Sequence, residues 1–336
     1  MTVRVLLVDD SAFVRKVLRE VLARDRTLEV VGHARDGLEA LEKIAELAPD
    51  VVTLDLMMPN LDGIGVLDAL RGRPGPAVVV VSTSPADSEL AILALERGAV
   101  EMVEKPTALA SERLYELGDQ LLLKIKIAAS AKRHASVAFA ALPAVKPAKH
   151  ALLTIGTSTG GPQALTRLIA ALPADFPLPV AVALHIPAGY TDSLARRLNE
   201  TSALEVVEAS PGIDLRAGRV VLARGGSHLK LKKLDGALLG VITQAPIDRP
   251  HHPSVDVLFE SAAEVVGAGT LALVMTGMGN DGLAGSHALR KAGGMVLTEA
   301  ESTCVVYGMP RVIDEAGLSS GSAPLHQLAA LLVERA

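Results

Sequence analysis

The sequence predicts two α/β domains in tandem, each built on a mainly parallel β-sheet. Short apolar runs alternate with amphipathic stretches in both halves of the chain, and a stretch at 121–150 with no acidic residue separates them. The length of 336 residues also exceeds that of one ordinary domain. We therefore expect a first domain at 1–125, a linker at 126–150 and a second domain at 151–336.

The first half contains five strand-like runs, each followed by an amphipathic stretch. The runs lie at 3–8, 29–33, 51–54, 77–82 and 100–103. The amphipathic stretches lie near 12–24, 37–47, 63–71, 87–97 and 111–128. Five consecutive βα units predict a parallel sheet with helices on both faces.

The second half resumes the alternation and adds a hairpin. Strand-like runs lie at 151–155, 178–184, 219–223, 271–276 and 295–298. Helical patterns lie near 161–171, 190–199, 254–266, 282–292 and 325–335. The segment 229–241 predicts a β-hairpin, since Asp235-Gly236 at its centre is a two-residue turn signal. These elements predict a doubly wound, mainly parallel α/β domain.

Bulk properties exclude several classes of function. The net charge of −5 provides no general attraction to nucleic acid or membranes, and an aromatic content of 2% is poor for stacking bases. The one cysteine, Cys304, cannot form an internal disulfide, which agrees with a reducing compartment. No apolar run has the length of a membrane span, and the first residues do not form a signal peptide. We expect a cytoplasmic protein.

Acidic residues follow two strands of the first domain. Asp9 and Asp10 come directly after the run at 3–8, and Asp55 comes after the run at 51–54. The carboxyl ends of parallel strands meet at one edge of a sheet, so these carboxylates are expected to converge. Their mutual repulsion calls for a cation, and such oxygen ligands suit Mg²⁺. Ser82 and Lys105 end two further strands at the same edge.

This set of residues suits a carboxylate that accepts a phosphoryl group. Asp55 would be the nucleophile, with Lys105 and Ser82 holding the phosphoryl product. The competing interpretation is that the acids only cap the helices that follow, as Asp10 before Ser11 would.

The motifs "LLVDDS", "VTLDLMMPNLDG", "VVVVS" and "VEKP" give residues 1–125 a resemblance to response-regulator receiver domains. The resemblance implies a flavodoxin-like (βα)₅ fold with Asp55 phosphorylated by a histidine kinase. It also implies Mg²⁺ held by Asp10, Asp55 and the backbone carbonyl of Met57, with Asp9 in support. Ser82 would be the switch hydroxyl.

The stretch "TIGTSTGGPQAL" opens the second domain. Residues 156–160 fit the pattern G-x-S-x-G between a strand and a helix, in which flanking glycines permit a sharp turn that exposes Ser158. The same geometry also suits an anion-binding loop or a simple tight turn. The pattern alone leaves these three alternatives open.

Two other strand ends supply partners for Ser158. His185 ends the run at 178–184, and Asp281 lies shortly after the run at 271–276. If these strands are parallel neighbours, the three side chains share one crevice and supply a nucleophile, a base and an orienting acid for acyl transfer.

Other arrangements are weaker. A hydrolase with the usual order of residues would recruit Asp214 or Asp256 with His287 or His326, but neither of these two histidines ends a strand. A metal site at His228, His251 and His252 lacks acids or cysteines at ligand spacing, so loop-anchoring roles are favoured. Cys304 has no activating base nearby and is expected in or near the core.

Residues 151–336 resemble the catalytic domain of the chemotaxis protein-glutamate methylesterase family, CheB. The resemblance rests on "IGTSTGGP", "LHIPAGYTDSLARRLN", "PHHPSVDVLF", "LVMTGMGNDG" and "STCVVYGMPR". It implies Ser158 as nucleophile, His185 as general base and acid, Asp281 as orienting carboxylate, and Thr159 and Met278 lining the site. Thr157 departs from the family pattern, in which alanine is common.

The two resemblances together imply an esterase controlled by phosphorylation. It would demethylate glutamate methyl esters, and deamidate glutamines, on the cytoplasmic parts of methyl-accepting chemoreceptors. Mg²⁺ would serve receiver phosphorylation only, and ester hydrolysis would need no cofactor. A phosphorylation-dependent binding module is disfavoured because the loop lacks the Walker lysine and the G-x-G-x-x-G spacing. A DNA-binding effector is disfavoured because no basic recognition helix stands out.

Overall fold

The computed structural model describes residues 2–82, 88–105, 111–131, 138–144 and 149–336. The chain forms two compact units, Met1–Arg133 and His134–Ala336. None of the helices in the described ranges combines the length and the apolarity needed to cross a bilayer.

In its described residues, the first unit forms a five-stranded parallel sheet with five helices. Its strands are β1 (Val3–Val8), β2 (Leu28–Ala34), β3 (Val51–Leu54), β4 (Ala77–Ser82) and β5 (Glu101–Glu104). Its helices are α1 (Ala12–Leu22), α2 (Gly37–Leu47), α3 (Gly63–Leu70), α4 (Ser88–Glu96) and α5 (Ser111–Ser130). The strand order β2-β1-β3-β4-β5 is that of flavodoxin-like sheets.

Side-chain caps fix where the first three helices of this unit begin. Ser11, Asp36 and Asp62 each accept a hydrogen bond from a backbone N–H in the first turn of α1, α2 and α3. Ser11, rather than Asp10, caps α1, so the helix-capping interpretation does not account for Asp10.

The second unit contains a seven-stranded sheet and a small antiparallel one. The strands of the large sheet are β6 (Leu152–Thr157), β7 (Val180–Leu184), β8 (Glu205–Glu208), β10 (Arg219–Leu222), β13 (Thr270–Val274), β14 (Met295–Glu299) and β15 (Ser322–Ala323). Their order is β15-β14-β13-β6-β7-β10-β8, and every pairing is parallel. The small sheet has the order β11-β12-β9, from His228–Leu234, Ala237–Thr243 and Asp214–Leu215.

Within the described part of the second unit, six helices cover the large sheet. They are α6 (Gly161–Ala171), α7 (Thr191–Thr201), α8 (Val255–Val265), α9 (Leu283–Lys291), α10 (Met309–Glu315) and α11 (Leu325–Arg335). Strands β6, β7 and β13 are completely buried, as central strands covered on both faces must be. The predicted fold class, α/β with a mainly parallel second sheet, is confirmed.

The expected hairpin is present as β11 and β12. Asp235 and Gly236 between them have φ values of 49° and 84°, the pair of positive values that a type I′ turn requires. Residues 138–144 and 149–150 of the expected linker belong to the second unit. There the N–H of Ala140 donates to the carbonyl of His326 at 2.8 Å.

Candidate functional site

Three carboxylates meet at the carboxyl edge of the first sheet. Asp9 follows β1 and Asp55 follows β3, two strands that pair directly. One carboxylate oxygen from each of Asp9, Asp10 and Asp55 lies within 4.8 Å of the others. Asp9 and Asp55 are buried, whereas Asp10 is exposed. The convergence expected from the sequence therefore occurs in the structure.

The ammonium of Lys105, just after β5, compensates these buried charges. Its Nζ lies 3.0 Å from Oδ2 of Asp9 and 2.6 Å from Oδ2 of Asp55. Burial raises the pKa of Asp55, and the hydrogen bond from Lys105 offsets only part of that increase. Burial also disfavours the charged Lys105, but its bonds to Asp55 and Asp9 raise its pKa overall. The pocket holds opposite charges that stabilise each other.

Met57 and Ser82 are the two other residues expected in this pocket. The N–H of Met57 donates to Oδ1 of Asp55 at 3.3 Å, and coordination of a metal by the Met57 carbonyl stays a prediction. Ser82 is the last residue of β4, but its side chain lies outside the described residues. The oxygen donors of Asp9, Asp10 and Asp55 match what Mg²⁺ prefers, so the pocket is compatible with that ion.

In the second unit, Ser158, His185 and Asp281 come from three neighbouring strands. Ser158 follows β6, His185 follows β7, and Asp281 lies in the loop between β13 and α9. Thr157 pairs with Leu184, so Ser158 and His185 leave the sheet at the same level. The N–H of His185 donates to the carbonyl of Thr157 at 3.1 Å. These contacts place the first two residues side by side on the carboxyl edge.

Backbone contacts and glycines shape the loop that carries Ser158. The N–H of Ser158 donates to the carbonyl of Thr276 at 3.0 Å, and its carbonyl accepts from Gly161 at 2.7 Å. Gly160 has a φ of 75°, the left-handed region that glycine tolerates best. At Gly277 a Cβ would lie 2.8 Å from that of Ser158. A side chain at position 277 would therefore displace Ser158, which is half-buried in its turn.

Asp281 holds the His185 ring by one nitrogen. Nε2 of His185 lies 2.7 Å from Oδ2 of Asp281. Because an ionised carboxylate only accepts hydrogen bonds, Nε2 carries the proton and the lone pair is on Nδ1. That Nδ1 is buried and has no hydrogen-bond partner within the described residues. A nitrogen with these properties suits a base that receives a proton from a neighbouring hydroxyl.

Donors in the first turn of α8 form hydrogen bonds to both oxygens of the Asp281 carboxylate. Oδ1 accepts from the Ser254 hydroxyl and the Asp256 N–H, each at 2.9 Å, and Oδ2 accepts from the Val255 N–H at 2.7 Å. Burial by itself would raise the pKa of Asp281, but the hydrogen bond and charge of His185, with these backbone donors, hold it well below its usual range. Asp281 is therefore a carboxylate with a fixed orientation.

Comparison with known proteins assigns this chain to a family. Residues 153–332 match the family model of the CheB methylesterase, and residues 5–116 match that of the response regulator receiver domain. The chain belongs to the CheB methylesterase family. The family resemblance seen in the sequence, with its receiver and its methylesterase enzyme class, is thereby confirmed.

Relatives cover nearly the whole chain. A protein named protein-glutamate methylesterase/protein-glutamine glutaminase 5, from Myxococcus xanthus, is 59% identical over 98% of this chain and 97% of its own length. A relative from Symbiobacterium thermophilum that carries the same name without a number is 44% identical over 97% of this chain and 95% of its own. The crystal structure of the Thermotoga maritima CheB methylesterase catalytic domain is 38% identical. It has a TM-score of 0.55 and covers 56% of this chain and 100% of its own.

The three hydroxyls of the family's G-x-S-x-G loop are not equivalent here. The Thr157 hydroxyl is fully buried and donates to the carbonyl of Thr276 at 2.8 Å. Thr159 is buried as well, and its carbonyl accepts from the Thr276 hydroxyl at 2.9 Å. Of the three, Ser158 alone is not buried. Met278, in the loop that precedes Asp281, is 46% exposed.

For His228, His251 and His252 the sequence favours loop-anchoring roles over a metal site. The His251 ring stacks on that of His185, with centroids 3.9 Å apart. Nε2 of His228 donates to the Pro246 carbonyl at 3.0 Å, and its Nδ1 accepts from the Ser254 N–H at 3.2 Å. His252 packs against His228 at 4.2 Å. In the described ranges the cluster with three ligand side chains in reach of one metal ion is Asp9, Asp10 and Asp55, and these histidines are not part of it.

The alternative triads do not form. Asp214 is exposed in β9 of the small antiparallel sheet, and His287 is exposed on α9. His326 lies on α11. Asp256 is buried, but its carboxylate faces the start of α9 and Arg249. Cys304 lies in the core as expected, and burial raises the pKa of its thiol far above the ordinary value.

Two supporting residues were missed by sequence reasoning. Glu299, fully buried at the end of β14, accepts the N–H of Thr276 at 2.9 Å and so supports the residue that binds the Ser158 loop. Asp256 had entered only as a member of a discarded triad, and the structure instead places it directly behind Asp281. No spacing in the sequence marks either contact, because each joins segments that only tertiary packing brings together. Ser254 caps α8 by accepting the N–H of Val257.

Proposed function

We propose that the chain is a phosphorylation-controlled serine esterase that hydrolyses glutamate methyl esters, and deamidates glutamines, on chemoreceptors. The substrate class follows from the names of its relatives, protein-glutamate methylesterase/protein-glutamine glutaminase. The observation that carries the proposal is the His185–Asp281 pair, with its buried and unpartnered Nδ1, on the strand next to that of Ser158.

The reaction starts with attack of Ser158 Oγ on the ester carbonyl carbon. His185 Nδ1 takes the serine proton, and the fixed negative charge of Asp281 stabilises the resulting imidazolium. Collapse of the tetrahedral intermediate breaks the bond to the methoxy oxygen, which leaves as methanol with the proton from His185. Water, deprotonated by the same nitrogen, then cleaves the acyl-enzyme and releases the glutamate side chain and a restored Ser158.

Deamidation uses the same steps with a different leaving group. The amide nitrogen of a glutamine takes the proton from His185 and leaves as ammonia, and the acyl-enzyme is the one that the methyl ester gives. One set of residues therefore serves both activities.

The turn after Ser158 also suits stabilisation of the oxyanion. Helix α6 begins at Gly161, so the positive end of its dipole lies at the nucleophile. One oxyanion donor is typically worth about 3–4 kcal/mol of transition-state stabilisation. Gly160 and Gly161 carry no side chain at this helix start, where a Cβ would collide with Val305 or Leu184.

The proposed control resides in the acidic pocket of the first unit. We assign the receiver to 1–125, the linker to 126–150 and the catalytic domain to 151–336. Asp55 would accept a phosphoryl group from a histidine kinase, and Lys105 and Ser82 would hold it. Asp9, Asp10 and Asp55, with the Met57 carbonyl, would hold Mg²⁺, which when bound neutralises phosphoryl oxygens. We expect the protein to act in the cytoplasm and without a nucleic acid partner.

Methanol release from membranes with methylated chemoreceptors tests the proposal. We expect Ser158→Ala to lose roughly 10⁴-fold or more in kcat. Thr157→Ala is the matched control, because it removes the adjacent hydroxyl, and it should stay within a few-fold of wild type. Ser158→Ala with wild-type activity would refute the esterase mechanism.

The regulatory part has its own comparison. With Mg²⁺ and a small phosphodonor, the wild type should release methanol faster, whereas Asp55→Asn should keep the basal rate and show no increase. An equal increase in Asp55→Asn would remove Asp55 from the control mechanism and leave the esterase assignment intact.

A further inference from the structure

Asp256 is a second buried carboxylate next to the Ser158–His185–Asp281 triad. It lies in the first turn of α8 and is 7% exposed. None of the catalytic steps above uses it. A buried acid so close to a reacting pair needs a physical reason, because burying an unpaired charge is strongly unfavourable.

Asp256 and Asp281 cap each other's helices. Asp281, just before α9, accepts the N–H groups of Val255 and Asp256 at the start of α8, at 2.7 and 2.9 Å. In return, Oδ1 of Asp256 accepts the N–H groups of Gly282 and Gly285 at the start of α9, at 2.9 and 2.8 Å. Each carboxylate thus binds the backbone beside the other one.

This exchange fixes the loop that carries Asp281. Gly282, directly after Asp281, has a φ of 101° and donates to Asp256. At Gly285 a Cβ would lie 2.5 Å from that of Phe259, so α8 and α9 are in close contact there. Without Asp256, two buried N–H groups beside Asp281 would lose their acceptor, and the carboxylate that orients His185 would lose its support.

Asp256 also belongs to a group of charged side chains with Arg249 and Glu260. Burial and the charge of Asp281 raise the pKa of Asp256, whereas the N–H groups of Gly282 and Gly285 and the nearby Arg249 favour its ionised form. Arg249 lies 3.5 Å from its Oδ2 and binds Glu260 at 2.8 Å on the other side. The negative charge of Asp256 therefore adds to that of Asp281 in stabilising a positive imidazole, and Arg249 opposes it.

We propose that Asp256 is a positioning residue of the triad, one that holds the Asp281 loop and adds negative charge behind the His185 imidazolium. The proposal deepens the esterase function and rests on it for its kinetic readout. The groups that face this pair are His251, stacked on His185, His228, which binds the Ser254 N–H, and Arg249, beside Asp256.

The pH dependence of kcat/KM in two single variants tests the charge contribution. Asp256→Asn keeps the Oδ1 acceptor but removes the charge, so the acid limb of the profile should move to lower pH, by roughly half a unit to one unit. Arg249→Gln removes the opposing cation, so the acid limb should move to higher pH. Asp248→Asn, an exposed neighbour of Arg249, is the matched control and should leave the profile unchanged.

Asp256→Ala tests the positioning role. It removes both acceptors, and kcat should fall by roughly 10- to 100-fold with KM little changed, because the orientation of the base affects the reacting step more than substrate binding. Thermal unfolding of each variant separates this effect from a failure to fold. If Asp256→Ala does not fold, the opposite shifts of Asp256→Asn and Arg249→Gln still decide the proposal.

NMR titration of the His185 ring in the full chain separates the two proposals. The titration midpoint should move down in Asp256→Asn and up in Arg249→Gln, and this readout needs no substrate. If both profiles coincide with that of the wild type, or move in the same direction, the charge role of Asp256 is overturned. If the midpoints move as expected but Ser158→Ala remains active, the esterase function fails and the coupling of Asp256 to His185 stands.

Discussion

The two units bury carboxylates at the same place, the carboxyl ends of parallel strands, yet neutralise them differently. In the receiver unit, Asp9 and Asp55 share the ammonium of Lys105, and each also accepts one backbone N–H. In the catalytic unit, Asp281 accepts from His185 and from three donors in the first turn of α8. The pKa values respond in opposite directions, since that of Asp55 is raised and that of Asp281 is lowered.

The difference accounts for two kinds of chemistry. An ammonium on a flexible side chain can be exchanged for another cation, so the receiver pocket is suited to take up Mg²⁺ and a phosphoryl group. A carboxylate held by backbone donors cannot reorient, so Asp281 is suited to keep an imidazole in one tautomer. The position at the carboxyl edge of the sheet determines which acidic residues meet. The donors that neutralise them determine which chemistry they suit.

The largest expected effect comes from removing the negative charge of Asp281. Asp281→Asn places an amide among donors, which disfavours the productive tautomer of His185, and kcat should fall about 10⁴-fold. Asp9→Asn, the corresponding change in the receiver pocket, should leave methanol release unchanged when no phosphodonor is present. A loss below tenfold in Asp281→Asn would show that the Asp281 carboxylate does not hold His185 in its productive tautomer.

A smaller effect is expected from removing the ammonium of Lys105. Lys105→Gln leaves two buried carboxylates without their partner, which should lower the free energy of unfolding of the receiver unit by about 3 kcal/mol in the absence of Mg²⁺. Added Mg²⁺ should restore most of this stability. Urea unfolding with and without the ion measures both quantities, with Lys16→Gln on the exposed face of α1 as control. If Mg²⁺ raises the free energy of unfolding of both variants equally, the ion does not take the place of the Lys105 ammonium.

The smallest expected effect is a pH dependence of stability in the catalytic unit. Burial lowers the pKa of His228 below its ordinary 6.5, so between those two values the unfolded chain binds a proton that the folded chain does not. The contribution of neutral His228 to the free energy of unfolding is therefore fully present above about pH 6.5 and is lost as the pH falls below that value. From pH 7.5 to 5.5, Tm should fall more in the wild type than in His228→Gln, whereas the exposed His287→Gln should follow the wild type.

Much of this arrangement can be predicted from the sequence. Apolar runs that end in Asp9, Asp55, Ser158 or His185 identify residues at strand ends, and parallel strands deliver such residues to one edge. This rule needs only the alternation of elements, which local patterning provides. Asp281 lies seven residues beyond the last residue of β13, and its participation is predictable from the family motif more than from strand geometry.

Other features depend on tertiary packing and have no local signal. Strand β8 has only two apolar residues between two glutamates, and its place at the sheet edge makes a longer apolar run unnecessary. Strands β9 and β15 have two residues each, and α10 has seven, too few for a periodic pattern. The exchange of caps between Asp256 and Asp281 joins residues 25 positions apart in sequence. Their contact exists only once α8 and α9 have packed.

Cys304 gives the molecule a practical property. It is the only cysteine in the sequence, it is fully buried, and burial raises the pKa of its thiol. Thiol reagents require an accessible thiolate, so the native chain should resist labelling. A pair of cysteines introduced on the surface, one in each unit, would therefore carry spin labels with no background from the native residue. Such a chain would test whether phosphorylation changes the distance between the units.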